Sequence, residues 1–400
     1  MSLLPVEEAQ QRLLGLAAPL PIERVALDDT TGRWLAEPLI ALRDQPWADL
    51  SAMDGYAIRW ADMPGPWTLA GAVQAGALPP ETALSSGTAM RIFTGAPMPP
   101  GADSVVLQED VESDGTTVRL TGEGPRDEWR HVRPKGSDFP AGKTLLPAGT
   151  RLGPPQIALA ALAGHGTLPV RRRPRIAIVS TGDELVAPGA PCPPGKLPAS
   201  NGAMLRAMVE RAGGVIQTDH LVGDDLSAIT AALVAARDAD IIVTSGGASV
   251  GDHDLVRPAL EAAGGAIDFW RIAMRPGKPL IVGRLGNAIL LGLPGNPVSA
   301  MVTGALFLLP LIRHLAGAAD PLPRSRTLPL GADMPSTGQR AEFIRATVSD
   351  GIATPLRVQD SGAMHAAALA DALIYRPIEA PAAHAGTPAQ VFDWAALGLG

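Results

Sequence analysis

The chain has 400 residues, 46% of them hydrophobic, and a formal net charge of −7. That length suits two or more domains of roughly 100–200 residues, each able to bury a core without staples. The acidic balance argues against a general nucleic-acid binder, and the single cysteine, Cys192, excludes an internal disulfide and cysteine-rich zinc or iron–sulfur sites within one chain.

The first residues carry Glu7 and Glu8 where a secretory signal would carry lysine or arginine. No small-residue cleavage site follows an apolar core, so a cytoplasmic protein is expected. Residues 1–45 and 140–170 hold helical patterns, for example Pro155 to Ala163. Between them, residues 46–139 are rich in Pro and Gly and contain short alternating runs, Ala89 to Phe93 and Ser104 to Gln108. This predicts a β-rich domain inserted into a discontinuous helical linker domain. Within the insertion, Asp54-Gly55 has hairpin-turn composition, and Arg91 to Pro97 reads as a strand entering a turn.

Residues 171–318 are the most regular. They open with a dense basic run, Arg171-Arg172-Arg173-Pro174-Arg175, which reads as a solvated junction. Strands are expected at Arg175 to Ser180, Val215 to Val222, Asp240 to Thr244, Ile267 to Ala273, Leu280 to Val282 and Ala288 to Leu293. Helices are expected at Asn201 to Ala212, from a cap at Asp224 or Asp225 to Ala236, at His253 to Ala263 and at Val298 to Leu315. The greasiest run, Val298 to Ile312, is shorter than the ~20 residues of a spanning helix and contains Pro310, so it reads as a buried core helix and no membrane partner is expected. Alternating strands and helices predict a mostly parallel sheet covered on both faces. Residues 319–400 show short strands, including Glu342 to Val348, and predict a small β-barrel or sandwich. Ala363 to Ala372 reads as a helix.

Ligands of such sheets sit beyond the carboxyl ends of the strands. Those ends here carry Thr181-Gly182-Asp183-Glu184, Ser245-Gly246-Gly247 and Pro294-Gly295-Asn296-Pro297. Ser245 to Asp254 is the sharpest segment: glycines let backbone N–H groups approach a phosphate, and Ser245, Ser249, Asp252 and Asp254 add hydroxyls and acids. A Gly-Gly turn after a strand is also an ordinary structural turn. Acids beside a phosphate loop usually mean a divalent cation. Arg271 to Pro279 supplies positive charge, with Arg275 and Lys278 held between prolines and Gly277. Pro297 suits the first turn of a helix with Asn296 as its cap, which structure alone explains. The acids Asp183 and Glu184 either bind a metal or cap a turn.

Together these segments resemble the molybdopterin molybdenumtransferase family, called MoeA in bacteria and forming the C-terminal part of gephyrin. The matching blocks are Ser51 to Ala57, Arg91 to Pro97, Val132 to Asp138, Ser180 to Leu185, Thr244 to Asp252, Met274 to Pro279 and Leu293 to Ser299, with Glu342 to Arg345 and Ser361-Gly362 further on. They stand in the family's order along nearly the whole chain. The resemblance implies an α/β multidomain protein: a central three-layer α/β/α molybdenum-cofactor-binding domain with an inserted β-rich domain, a helical linker domain and a C-terminal β-barrel. It implies a homodimer with the active site at the subunit interface, Asp54 and Thr94 coming from the other subunit. It implies insertion of molybdenum from molybdate into adenylylated molybdopterin, releasing AMP, with Mg2+, and a molybdopterin adenylyltransferase as substrate donor.

Carried over by position, the resemblance makes Glu184, Asp224, Asp254, Asp54 and Thr94 catalytic residues, with Glu184, Asp224 and Asp254 holding the metal. It makes Ser245, Gly246, Gly247, Ser249 and Asn201 binding residues, with Arg275, Lys278 and Pro279 as a molybdate turn. Pro294, Pro297, Arg345 and Ser361 line the pterin side, with Arg340 nearby. A dianionic tetrahedral oxyanion needs fixed cationic donors, and cleaving a pyrophosphate needs neutralisation of developing charge. The chain departs from the family at Ala199, where an acid is common, at Ala248, and at Arg271 and Arg275, which replace lysines of some relatives. The rival readings are a molybdopterin adenylyltransferase, a pterin-nucleotide-binding scaffold protein and an unrelated nucleotide or sugar-phosphate hydrolase.

Overall fold

Val6, Ala9 and Leu13 recur at helical spacing and lie on one face of the first helix, α1 (Val6–Gly15), in a computed structural model that describes residues 3–247 and 255–400. That face does not stay in a linker. It packs into the core of residues 171–318 with Leu306 and Leu309, and Gln10 Nε2 donates to Leu306 O at 2.8 Å. The rest of 1–45 and 140–170 corrects the helical expectation. Ile22–Ala26 pairs antiparallel with Thr167–Arg171, and Leu39–Ile40 with Thr144–Leu146, beside a single helix, α2 (Pro154–Leu162). Leu35, Leu39, Leu152, Leu168 and Val170 form the core of this unit. Strand partners more than a hundred residues apart leave no local periodicity to read.

Residues 55–120 build a six-stranded sheet in the order Ser104–Leu107, Gly55–Ile58, Thr88–Ile92, Trp67–Val73, Thr117–Leu120, Val111–Ser113. Its two faces carry small cores, one around Ile92 and Val105 and one around the fully buried Trp67.

The central sheet runs Val215–Val222, Arg175–Thr181, Ile241–Ser245, Ala288–Leu293, Ile281–Leu285, Ala266–Trp270. The first four strands are mutually parallel, and only Ile281–Leu285 runs against its neighbours. Ile241–Ser245 is buried at every residue, as a strand covered on both faces must be. Helices follow in chain order: α3 (Ser200–Arg211), α4 (Leu226–Ala235), α5 (Val256–Ala262), α6 (Pro297–Thr303) and α7 (Leu309–Leu315). α3, α6 and α7 cover one face with α1, while α4 and α5 cover the other. Each fully buried Leu or Ile in these layers contributes about 1.5–3 kcal/mol. Asp225, not Asp224, caps α4, its carboxylate accepting from Ala228 N at 2.7 Å. The start of the helix expected at His253 lies outside the described residues.

α6 and α7 are one apolar run joined through a π-helical stretch, Gly304–Leu308. Pro310 lies in the first turn of α7 and cannot donate to the preceding turn, so the wider π spacing absorbs it without ending the helix. Pro297–Leu315 is long and apolar enough to cross a membrane by composition, but 89% of its most apolar stretch is buried inside the fold. The basic run is pinned rather than merely solvated. Arg172 makes a two-pronged pair with Asp240 at 2.8 and 3.0 Å, and Arg175 donates to Asp238 O at 2.9 Å.

Beyond residue 325 the strands Arg326–Pro329, Pro388–Asp393, Ala372–Arg376 and Ala341–Ser349 lie side by side. Ile352–Pro355 pairs with Ala341–Ser349, and Met274–Arg275 from the central domain joins the far edge. The helix expected over Ala363 to Ala372 shortens to α8 (Met364–Ala368), because Ala372 opens a strand paired with Ala346. Tertiary pairing overrides the helix preference of alanine there.

Candidate active site at the carboxyl ends of the sheet

Parallel register brings three loops level. Ser180 lies opposite Ser245, and Ser245 opposite Leu293, so the turns beginning at Thr181, Gly246 and Pro294 leave the sheet together. Asn201, in the first turn of α3, ties two of them. Its Nδ2 donates to Ser245 Oγ and to Gly295 O, both at 2.8 Å. A bare Cα is required where the loops touch. A Cβ on Gly246, whose φ is +100°, would lie 2.3 Å from Thr181 O, whereas Gly295 has ordinary room for one.

Several polar atoms here find no partner among the described residues: Ser180 Oγ, Thr181 Oγ1, Thr244 Oγ1 and Asn201 Oδ1. Buried polar groups are normally hydrogen-bonded. Three such atoms at strand ends and one at the start of α3 therefore suit polar ligands or ordered water. Ser180 and Thr244 were given no binding role from the sequence, and Thr181 was named only as part of a strand-end turn. Their signal was present, as two neighbouring strands each end in paired hydroxyls.

The acids lie on one flank. Asp183 and Asp224 cross-brace their loops: Asp224 N donates to Asp183 Oδ1 at 3.0 Å, and Asp183 N to Asp224 Oδ2 at 3.3 Å. Glu184 is exposed and folds back over Gly182, where a Cβ would lie 2.6 Å from its Oε2. Ser249 and Asp254, expected as binding and metal residues, lie outside the described residues. No three acids, histidines or cysteines gather as a metal-ligand group among the described residues.

The cations lie on the other flank. Arg275 is exposed and pairs with Glu342 at 3.4 Å, because Met274–Arg275 runs beside Ala341–Glu342. Gly277, with φ +104°, lets the turn rest on α6, since a Cβ would lie 2.4 Å from Thr303 Cγ2. Lys278 and Pro279 follow it, half-buried. Arg271 is engaged elsewhere, stacked 3.9 Å from the Trp270 ring centroid.

Two sequence expectations change on the pterin side. Asn296 does not cap α6 through its side chain. Its Nδ2 donates to Ser361 Oγ at 3.0 Å, and Val298 N donates to Ser361 O at 3.1 Å, so Ser361 is joined to the Pro294–Pro297 loop. Arg345, expected to face the pocket, is only 2% exposed. Its guanidinium donates to Val358 O at 2.9 Å and Asp360 O at 3.0 Å, and burial holds it below its ordinary pKa. Arg345 thus orders the loop that carries Ser361. Pro294 is buried and Pro297 half-buried at the start of α6, while Arg340 is half-buried before the strand Ala341–Ser349.

Asp54 and Thr94 meet in the inserted sheet. Asp54 Oδ1 accepts from Thr94 N at 2.6 Å and from Thr94 Oγ1 at 2.8 Å. These bonds hold the Asp54 carboxyl below its usual pKa. Among the described residues, neither side chain bonds to the loops of the central sheet.

Three family descriptions match consecutive stretches: MoeA N-terminal region (domain I and II) over residues 4–164, a probable molybdopterin binding domain over 177–314, and MoeA C-terminal region (domain IV) over 327–394. The chain is 36% identical over 384 residues to molybdopterin molybdenumtransferase 2 of Mycobacterium tuberculosis, covering 92% of this chain and 94% of that protein. It is 41% identical over 308 residues to the molybdopterin molybdenumtransferase of a Nostoc species, covering 74% and 70%. Among solved structures, the molybdopterin biosynthesis MoeA protein from Pyrococcus horikosii superposes with a TM-score of 0.83 at 30% identity, covering 98% of this chain and 99% of that one. With relatives above 30% identity along most of its length and all three regions in order, the chain belongs to the molybdopterin molybdenumtransferase (MoeA) family.

Proposed function

We propose that this protein inserts molybdenum from molybdate into adenylylated molybdopterin, giving molybdenum cofactor and AMP. The observation that carries the reading is the hub at Asn201: one carboxamide holds Ser245 and Gly295 together, while its own Oδ1 and the neighbouring Ser180 Oγ lack partners among the described residues. A phosphate or pterin edge seated there gains hydrogen bonds that the protein does not supply to itself. The Pro294–Pro297 loop and Ser361 border the same site, with Ser361 positioned through Arg345. Arg275, Lys278 and Pro279 form the molybdate turn. An exposed ion pair such as Arg275–Glu342 contributes at most about 1 kcal/mol, so an oxyanion can recruit the guanidinium at small cost.

Glu184 and Asp224 suit Mg2+ by donor chemistry, since that ion is held by one or two carboxylates together with substrate phosphates. Bound there, it would neutralise charge on the phosphates. Asp254 is proposed as a further metal and catalytic residue on its sequence position. The protein's own part is to fix the phosphate with Gly246, Gly247, Ser245 and Ser249. It also keeps the acids apart from the cations.

Asp54 and Thr94 are assigned to a neighbouring subunit's site in a homodimer; among the described residues they bond to each other and not to the central loops. A molybdopterin adenylyltransferase is the proposed donor, and the cytoplasm the proposed compartment. The domain division is 1–45 with 140–170, 46–139, 171–318 and 319–400, with α1 counted as cover for the third. The barrel reading of 319–400 draws support from a bridge between Leu330 and Ala353, which returns the sheet toward its own edge.

The test is AMP release from adenylylated molybdopterin by the purified protein with Mg2+, with and without molybdate. Molybdate-dependent AMP together with active molybdenum cofactor is expected. Tight nucleotide binding without AMP release would overturn the activity and leave a binding protein.

A further inference from the structure

A second polar cavity lies at the opposite end of the sheet. It measures about 220 Å³ and is lined by Arg33, Arg151, Arg173 and Arg211, with Trp34 and Glu210 among its other walls. Arg173 precedes the strand Arg175–Thr181, and Glu210 and Arg211 end α3, so the cavity faces the amino ends of the strands. A strand of seven residues separates it from the loops described above, about 20 Å at ~3.3 Å per residue. The cavity therefore does not share residues with the nucleotide site.

Its charges are not answered locally. Arg33 is committed, donating to Glu23 Oε1 at 2.5 Å and to Arg171 O at 2.6 Å. The guanidinium groups of Arg151, Arg173 and Arg211 form no salt bridge or side-chain hydrogen bond among the described residues. Arg151 instead lies over the Trp34 ring, 5.6 Å from its centroid. Against these three stands one acid, Glu210. The C-terminal ends of α3 and α7 add roughly half a negative charge each. Arg313 lies close by, and burial together with the Arg151 charge holds its guanidinium below its ordinary pKa. The three arginines against Glu210 and the two helix ends leave the cavity at roughly +1. Like charges gathered in a concave, partly dry space favour an anion that answers several at once.

We propose that this cavity is an anion site for a small phosphate-class oxyanion, separate from the nucleotide site. Its walls come from both the linker segment (Gly32 to Trp34, Arg151) and the central domain (Arg173, Glu210, Arg211, Gly213, Ala316). An anion bridging Arg151 to Arg173 or Arg211 therefore braces the linker, and with it the inserted domain, against the central sheet.

The probe is inorganic pyrophosphate, titrated calorimetrically into the full chain at low salt, where such contacts are least screened. Two variants separate the two sites. Arg275→Ala weakens the molybdate turn of the loop-end site and leaves the cavity intact. In the Arg275→Ala background, Arg151→Gln with Arg211→Gln removes two exposed cavity arginines. Pyrophosphate binding is expected to survive Arg275→Ala and to fall at least tenfold when the cavity pair is also changed. An Arg151→Lys, Arg211→Lys pair, which keeps the charge, is expected to retain part of the affinity. Titrations that are the same with and without the cavity arginines would overturn the proposal. So would loss of all binding in Arg275→Ala alone, or an undetectable cavity site in the wild type. An unchanged circular dichroism spectrum and melting point confirm that the exposed substitutions leave the fold intact.

Discussion

The Asn201 carboxamide donates to Ser245 Oγ across 2.8 Å, linking the first turn of α3 to the end of the strand Ile241–Ser245. The same nitrogen holds Gly295 O, so one side chain joins three segments that are far apart in the chain.

Asn201→Ala removes both bonds and leaves Ser245 Oγ and Gly295 O short of a donor. A loss of about 1–3 kcal/mol is expected in urea unfolding, the usual cost of stranding such groups. Pterin-nucleotide affinity should fall roughly tenfold or more, as a further 1.4 kcal/mol would produce. Asn201→Asp keeps the size but has no donor, and it should behave like the alanine variant. Wild-type affinity in Asn201→Asp would show that donation to Ser245 is not what shapes the loop.

Gly246 sits at φ +100°, and its missing Cβ would overlap Thr181 O. Gly246→Ala must shift backbone against backbone, at a cost on the order of 2–4 kcal/mol. The neighbouring Gly247, at φ +59°, would meet the Val256 side chain at 3.0 Å rather than a backbone oxygen at 2.3 Å. Gly247→Ala should therefore be milder in melting temperature, and equal losses for both would contradict the geometry.

Arg345 and Arg275 should separate cleanly. Arg345→Leu breaks two bonds from a buried guanidinium to Val358 O and Asp360 O, with an expected stability loss of about 2–4 kcal/mol. Nucleotide affinity falls with it, because Ser361 is displaced. Arg275→Ala, at an exposed ion pair, should change stability by less than about 1 kcal/mol while raising the molybdate concentration needed for half-maximal turnover. Chemical denaturation and molybdate titration of the two variants check the contrast.

Tyr375 donates to Glu7 Oε1 at 2.8 Å, joining α1 to the C-terminal sheet, and burial followed by that bond raises its pKa to about 12. An unfolded tyrosine ionises near 10. The folded state therefore favours the neutral phenol. Its stabilisation is complete below pH 10 and lost as pH rises from 10 to 12. Urea midpoints measured across that window should fall more steeply for the wild type than for Tyr375→Phe. Parallel slopes would rule Tyr375 out as the group that titrates.

Asp54 is held ionised by Thr94 N–H and Oγ1–H. Asp54→Asn and Thr94→Val should each lower molybdate-dependent turnover while leaving pterin-nucleotide affinity near wild type, because, among the described residues, neither side chain bonds to the central loops. A matching fall in affinity would place the pair in nucleotide binding instead.

Much of this arrangement was legible in the order of residues. Buried strands such as Ile241–Ser245 show as apolar runs, and helix faces such as that of α1 show as repeats at three and four. The hydroxyls, glycines and acids at Thr181, Ser245 and Pro294 stand where strands end, so a mostly parallel α/β sheet and the gathering of these turns at one end follow from local pattern. Partnership did not follow. Only the folded chain put α1 on the central core, added Met274–Arg275 to the C-terminal sheet, buried Arg345 against Val358 and Asp360, and turned Asn296 from its own helix to Ser361. Local periodicity records which face of an element is apolar. Which distant face covers it, and which carbonyl a long polar side chain finds, depends on shapes and closures brought together across tens to hundreds of residues, and these exist only once the chain has folded.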